Sequence, residues 1–218
     1  MNAILEVNDL NINVPHKKLF HHLKFAIPRN ALTCVTGENG VGKSTLIKHL
    51  LQDLVLHHVQ HVHFKINRDQ VQYVPQLRNI DDEYPLCVRD FVSLGFKHRI
   101  LPWNSKAMDQ KLEMILKDTK IYPIQKSPLG RVSGGEKQRA YLAQALCSDP
   151  LLLILDETTA SLDWKAKHFL LQLLKEIMHK RDLTMIFVTH DAELIDQYAD
   201  YELKLAHHTC QMIKKGEN

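Results

Sequence analysis

The sequence predicts an α/β protein built on a parallel sheet that is covered on both faces. Three observations carry that prediction. Residues 151–155 and 184–189 are apolar runs too continuous for a half-exposed strand. Helical patterning separates and follows them. A glycine-rich stretch at residues 37–42 follows an apolar strand and opens a helix. At 218 residues the chain has length for one well-cored domain with a subdomain, and hardly for two domains.

Taken in order, residues 4–14 and 19–27 alternate apolar and polar side chains and read as half-buried strands. Residues 31–36 form a largely apolar strand, and a helix is predicted from Lys43 to about residue 54. Residues 59–66 and 70–74 read as short strands, with Pro75 closing the second. From 88 to about 119 the pattern is helical, interrupted by Pro102. A strong helix is predicted over 133–147, ended by Asp149 and Pro150. The strand at 151–155, a helix at 164–179, the strand at 184–189 and a short helix at 192–198 complete the alternation. Sites in such sheets gather beyond the carboxyl ends of the strands.

Composition narrows the classes. Hydrophobic residues at 44% and charged residues at 24% are ordinary for a globular protein. A net charge of +3 gives no concentrated basic face, so no nucleic-acid partner is expected. The cysteines Cys34, Cys87, Cys147 and Cys210 lie far apart with no CxxC pair, which predicts reduced thiols. Residues 1–6 carry an acid early and lack the basic-then-apolar layout of a signal peptide, so no leader is expected. No window approaches the ~20 apolar residues of a membrane span, and any membrane role is expected to come through a partner.

Gly37, Glu38, Asn39, Gly40, Val41, Gly42, Lys43, Ser44 and Thr45 fit the P-loop pattern GxxxxGK[ST]. The glycines let consecutive backbone N–H groups curl around an anion, and the following helix aims its positive end at the same place. Lys43 can then bridge the β- and γ-phosphates of ATP, and the Ser44 hydroxyl can ligate Mg²⁺. A glycine-rich turn could match by accident, but the strand before and the helix after favour the phosphate cradle.

Asp156 and Glu157 emerge together from the buried strand at 151–155. Asp156 is placed to hold Mg²⁺ through water, and Glu157 to polarise the water that attacks the γ-phosphate. Acids at a strand end are often merely solvated. A P-loop upstream in the same sheet makes the chemical reading the stronger one.

Between these motifs, Arg131, Val132, Ser133, Gly134, Gly135, Glu136, Lys137, Gln138 and Arg139 resemble the signature motif of ABC ATPases. Four further elements match that family in order. They are Tyr73 to Gln76 (the Q-loop), Asp156 with Glu157 (Walker B), Ser161 to Asp163 (the D-loop) and Val188 to Asp191 (the switch histidine).

The resemblance spans essentially the whole chain. It implies a P-loop NTPase core of the RecA-like kind, an N-terminal antiparallel β subdomain and an inserted helical subdomain at about 77–132. It also implies an ATPase that uses Mg²⁺ held by Ser44, Asp156 and Gln76. Glu157, His190, Gln76 and Lys43 would be catalytic. Ser133 to Glu136 would face the ATP of a second copy in an ATP-dependent, head-to-tail homodimer, with Asp163 at the same interface. Ser133 and Glu136 also form a capping box, which would start a helix whether or not it binds an anion.

Three positions depart from the family pattern. No aromatic residue stands near the first strand, which leaves His16 as the adenine-facing residue. Thr158 replaces the proline common after the Walker-B glutamate, and Glu136 stands where glutamine is commoner. None of these removes a catalytic group.

Residues 83–90 and 205–210 resemble bacterial zinc and manganese uptake ATPases. This implies an importer's motor, cytoplasmic and peripheral on the inner face of the membrane. Its partners would be an integral permease and an extracytoplasmic solute-binding protein. The histidines 57, 58, 61 and 63, and the pair His207–His208, read as solvated edges because neither set has a supporting carboxylate or a closed ligand spacing. Two rival readings stay on the table. One is an ABC ATPase acting on nucleic acid or ribosomes, which the short single-copy chain argues against. The other is a nucleotide-binding subunit without turnover, which Lys43, Asp156, Glu157 and His190 argue against.

Overall fold

The computed structural model describes residues 2–15, 17–56, 61–76, 85–96, 105–159 and 162–216. Its centre is a six-stranded sheet in the order β5 (Val71–Val74), β6 (Leu152–Asp156), β7 (Thr184–Val188), β3 (Leu32–Thr36), β8 (Tyr201–Ala206) and β9 (Thr209–Lys214). All neighbours are parallel except β8 and β9, which form an antiparallel hairpin. A three-stranded antiparallel sheet, in the order β2 (Lys17–Pro28), β1 (Ala3–Val14) and β4 (Val62–Phe64), forms a second layer.

The continuous apolar runs are explained by burial on both faces. In β6, Leu153 and Leu155 enter one core, while Leu152 and Ile154 enter the other. In β7, Met185 and Phe187 go with the first pair, Ile186 and Val188 with the second. The first core is closed by α2 (Val88–Ser93), α3 (Lys106–Asp118), α4 (Gly134–Leu146) and α5 (Trp164–Lys180). The second is closed by α1 (Lys43–Leu56) and the three-stranded sheet. The short helix α6 (Ala192–Tyr198) leads from β7 towards β8.

The expected strands and helices stand within a residue or two of their predicted ends, with four corrections. The helical stretch expected over 88–119 is already broken after Ser93, where α2 gives way to a turn at Leu94 and Gly95, and α3 begins only at Lys106. That turn packs so closely on α4 that a Cβ on Gly95 would collide with the Gln144 carbonyl oxygen. The strand expected over 59–66 is only Val62–Phe64 among the described residues. Residues 59 and 60 lie outside them. Its pairing is limited to Leu5, Glu6 and Val7 of β1, because β1 shifts register after Val7 and Asp9 takes a left-handed φ of 59°. Gln70, expected in the next strand, ends a short 3₁₀ turn at Arg68–Gln70. The β8–β9 hairpin was not anticipated. Its two-residue turn, His207 and His208, has φ values of 45° and 67°, the positive-φ pairing that matches the twist of hairpin strands. That turn is tied to β2, where His208 Nδ1 donates to the Leu19 carbonyl at 2.7 Å and His21 N–H donates to the His208 carbonyl at 3.0 Å. Pro102, proposed to break a long helix, lies outside the described residues.

Candidate functional site

The carboxyl ends of β3, β6 and β7 converge on one edge of the sheet. Beyond β3 the chain makes the loop Gly37–Gly42, with Glu38, Asn39 and Gly40 exposed at its tip. Gly37 and Gly42 have φ values of 142° and 111°, a conformation that disfavours a side chain. Space forbids one as well. A Cβ on Gly37 would lie 2.6 Å from the Leu205 carbonyl oxygen, and one on Gly42 would lie 2.7 Å from Leu19 Cδ2. The loop is therefore held between the C-terminal hairpin and β2. Val41 N–H donates to the Glu38 carbonyl at 3.2 Å, and Leu46 N–H to the Gly42 carbonyl at 2.8 Å, which starts α1. Ser44 and Thr45 follow in its first turn.

Lys43 is 5% exposed, and its ammonium donates to the carbonyls of Gly37 (2.9 Å) and Glu38 (3.1 Å). Its charge thus sits inside the curl of the loop, at the N-terminus of α1, where an anion is favoured by the helix dipole as well.

Asp156, also 5% exposed, closes the other side. Ser44 Oγ donates to its Oδ1 at 3.2 Å, and the Tyr73 hydroxyl donates to its Oδ2 at 3.0 Å. A hydroxyl and a carboxylate in contact beside a phosphate cradle are the hard oxygen ligands that Mg²⁺ takes, so the residues fit that ion. Burial and the charge of Asp156 push the Tyr73 phenol above its ordinary range and keep it a donor.

Glu157 lies next to Asp156 with a φ of 46°, a left-handed turn at the strand end, and its N–H donates to the Val188 carbonyl at 3.2 Å. Glu157 lines a small cleft with Thr159, Lys167, Thr189, His190 and Asp191. His190 is exposed there, beside buried Thr189. Asp191 N–H donates to Thr189 Oγ1 at 3.1 Å, and Lys167 donates to Asp191 Oδ2 at 3.0 Å. Burial raises the Asp191 carboxyl, but the Lys167 hydrogen bond and charge outweigh it and hold it below the usual aspartate range. Gln76 is exposed just past β5, after Pro75.

A second cluster forms at the start of α4. Ser133 caps the helix. Its N–H and hydroxyl both donate to Glu136 Oε2 at 2.8 Å, and Glu136 N–H donates back to Ser133 Oγ at 3.3 Å. Gly134 and Gly135 lie beside Leu162 and Ala166, which bracket Asp163. Asp163 caps α5, accepting from Ala166 N–H at 2.8 Å. Ser133–Glu136 and Asp163 thus share one face. Among the described residues, no hydrogen bond joins this cluster to Lys43, Asp156 or Glu157. His16 and Ser161 lie outside the described residues, as do His57, His58 and residues 77–84.

The family profile described as "ABC transporter" matches residues 20–160. This chain belongs to the ABC transporter family of ATP-binding proteins. It is similar to the manganese transport system ATP-binding protein MntB of Halalkalibacterium halodurans, at 32% identity over 94% of this chain and 84% of that one. The zinc import ATP-binding protein ZnuC of Buchnera aphidicola is 28% identical over 96% of this chain and 84% of its own length. Among solved structures, cbiO1 of Clostridium perfringens, part of the ABC transporter complex cbiONQ, superposes with a TM-score of 0.83. That match has 25% identity and covers 98% of this chain and 89% of that one.

The fold is accordingly the ABC ATPase fold, a P-loop NTPase core with an antiparallel β layer, and the chain is an ATP-binding, ATP-hydrolysing subunit of a transporter. Two contacts of this ABC ATPase have no mark in the sequence motifs, that of Tyr73, the first residue of the Q-loop match, with Asp156, and that of Lys167 with Asp191. Parallel strand register places Tyr73 opposite Ile154, two residues before Asp156. Lys167 falls four residues after the cap at Asp163, on the face turned towards Asp191.

Proposed function

We propose that this ABC ATPase is the motor of an importer for a divalent metal ion and works through a separate membrane permease. The observation that carries the ATPase part is the contact between Ser44 and Asp156, which joins the phosphate cradle to the carboxylate strand end at 3.2 Å. The metal substrate follows the relatives named for manganese and zinc.

In this reading the loop N–H groups and Lys43 bind the ATP phosphates, and His16 lies at the adenine. Mg²⁺, held by Ser44 with Asp156 and Gln76, supplies charge neutralisation on the phosphates. Glu157 accepts a proton from the attacking water, and His190 orients that water against the γ-phosphate. The Ser133–Glu136 end of α4 and Asp163 belong to the site of a second copy, which makes a head-to-tail dimer with two composite sites. Their shared face, with Gly134 and Gly135 beside Leu162 and Ala166, favours that arrangement. Hydrolysis would remove the bridging phosphate and let the dimer open, and this is the stroke delivered to the permease.

Residues 77–132 would form the inserted helical subdomain that receives the permease, on the inner face of the membrane. A solute-binding protein outside would supply the metal. No helix among the described residues is long and apolar enough to cross a membrane.

The test is isolation of the tagged chain from gently solubilised membranes of its native host. Co-isolation of a polytopic permease is expected. Recovery with soluble proteins, ribosomes or DNA alone would leave the ATPase chemistry standing and sink the transport claim.

A further inference from the structure

Strand register sets up an arrangement around Asp156 that the P-loop and the strand-end acids do not account for. In the β5–β6 pair, Tyr73 lies opposite Ile154. Side chains alternate across a strand, so Asp156, two residues beyond Ile154, lies on the face that Tyr73 occupies. A diagonal neighbour is out of reach for a short side chain and within reach of an aromatic one. The Tyr73 ring packs against the core between the sheet and α1, and its hydroxyl spans the remaining gap to Asp156 Oδ2 at 3.0 Å. Oδ1 faces Ser44 Oγ at 3.2 Å. Each carboxylate oxygen therefore has its own hydroxyl donor, one from β5 and one from α1.

A carboxylate held at one oxygen cannot rotate freely about its terminal torsion, so the direction of its second oxygen is set. We infer that Tyr73 is a positioning residue for metal binding, holding Asp156 so that Oδ1 stays turned towards Ser44. The inference rests on the reading of Asp156 as a Mg²⁺-holding residue. It adds a partner supplied by the strand that leads into Gln76. Hydrogen-bond partners behind a metal-binding group commonly tune affinity in this way without touching the ion.

Tyr73→Phe removes the hydroxyl and keeps the ring in the core. The full-length chain would be titrated with Mn²⁺, as a paramagnetic probe, in the presence of a non-hydrolysable ATP analogue, with free Mn²⁺ read by electron paramagnetic resonance. Tyr73→Phe is expected to weaken Mn²⁺ binding roughly 10-fold. Binding of the analogue without metal, in a chelator, should stay within about twofold of wild type, since the hydroxyl touches no phosphate-binding group. On an Asp156→Asn background the tyrosine change should add nothing further.

If Asp156→Asn weakens Mn²⁺ binding and Tyr73→Phe does not, the role of Tyr73 is overturned while that of Asp156 stands. If neither does, the reading of Asp156 fails and takes the inference with it. Equal weakening with and without metal would mean a general loosening of the strand and would also overturn it.

Discussion

Lys167 Nζ lies 3.0 Å from Asp191 Oδ2, which pins the first turn of α5 to the loop that carries His190. Asp191 stands at the N-cap position of α6, yet its side chain makes no capping bond there. Its carboxylate goes to Lys167 instead. Asp163 begins α5 and His190 precedes α6, so one ion pair links the helix that starts at the D-loop to the histidine expected at the γ-phosphate.

That pair has a pH signature. The Asp191 carboxyl in the fold lies below its ordinary 3.8 because Lys167 overcomes the effect of burial. A depressed carboxyl contributes stability that is present above the unfolded value and is lost as pH falls through the folded one. Both side chains are 26% exposed, so the pair is worth only about 0.5–1 kcal/mol. Lys167→Met should lower unfolding stability by that amount at pH 7, and the difference from wild type should close below about pH 4. Urea unfolding at pH 7, 5 and 3.5 checks it.

Gly42→Ala should be costly for two separate reasons. Its φ of 111° disfavours a side chain, and the new methyl would meet Leu19 Cδ2 at 2.7 Å and Phe20 Cε2 at 2.9 Å. Strain and overpacking together predict a loss of about 2–4 kcal/mol. A loss of nucleotide binding should accompany it, because a side chain disfavoured at that φ re-aims the loop N–H groups that curl around the phosphates. Thermal unfolding and nucleotide titration of the variant read the two effects.

Thr158 offers the opposite sign. It is 3% exposed, and its hydroxyl has no hydrogen-bond partner among the described residues. A buried, unsatisfied hydroxyl costs about 1–3 kcal/mol of desolvation that an isosteric methyl does not. Thr158→Val should therefore stabilise the fold by roughly 1 kcal/mol in chemical denaturation. A destabilised variant would show that the hydroxyl has a partner in solution.

Much of this was legible in the chain because the chemistry is local. The P-loop glycines, Lys43 and Ser44 are consecutive, and the acids at 156 and 157 end a run whose apolar continuity marks a strand buried on both faces. The helix starts were legible as well, since Ser133 and Asp163 carry cap side chains. What escaped depends on long-range pairing. Residues 203 and 205 alternate correctly for a strand, but the turn that closes the hairpin is His207–His208 rather than an Asn-Gly pair, so its positive φ values left no mark. The length of β4 was set by a bulge in β1 near Asp9, far away in sequence. The contact of Tyr73 with Asp156 depends on which strand lies beside which. It becomes visible only when β5 is paired with β6.

In the proposed mechanism ATP closes two copies of this chain around composite sites, with Glu157 as the base. The most direct measurement is the mass of purified Glu157→Gln protein by light scattering, without nucleotide and with Mg-ATP, alongside its turnover. A monomer is expected that becomes a stable dimer only with Mg-ATP, with turnover reduced at least about 100-fold. A variant that hydrolyses ATP like wild type, or that stays monomeric at saturating Mg-ATP, would contradict it.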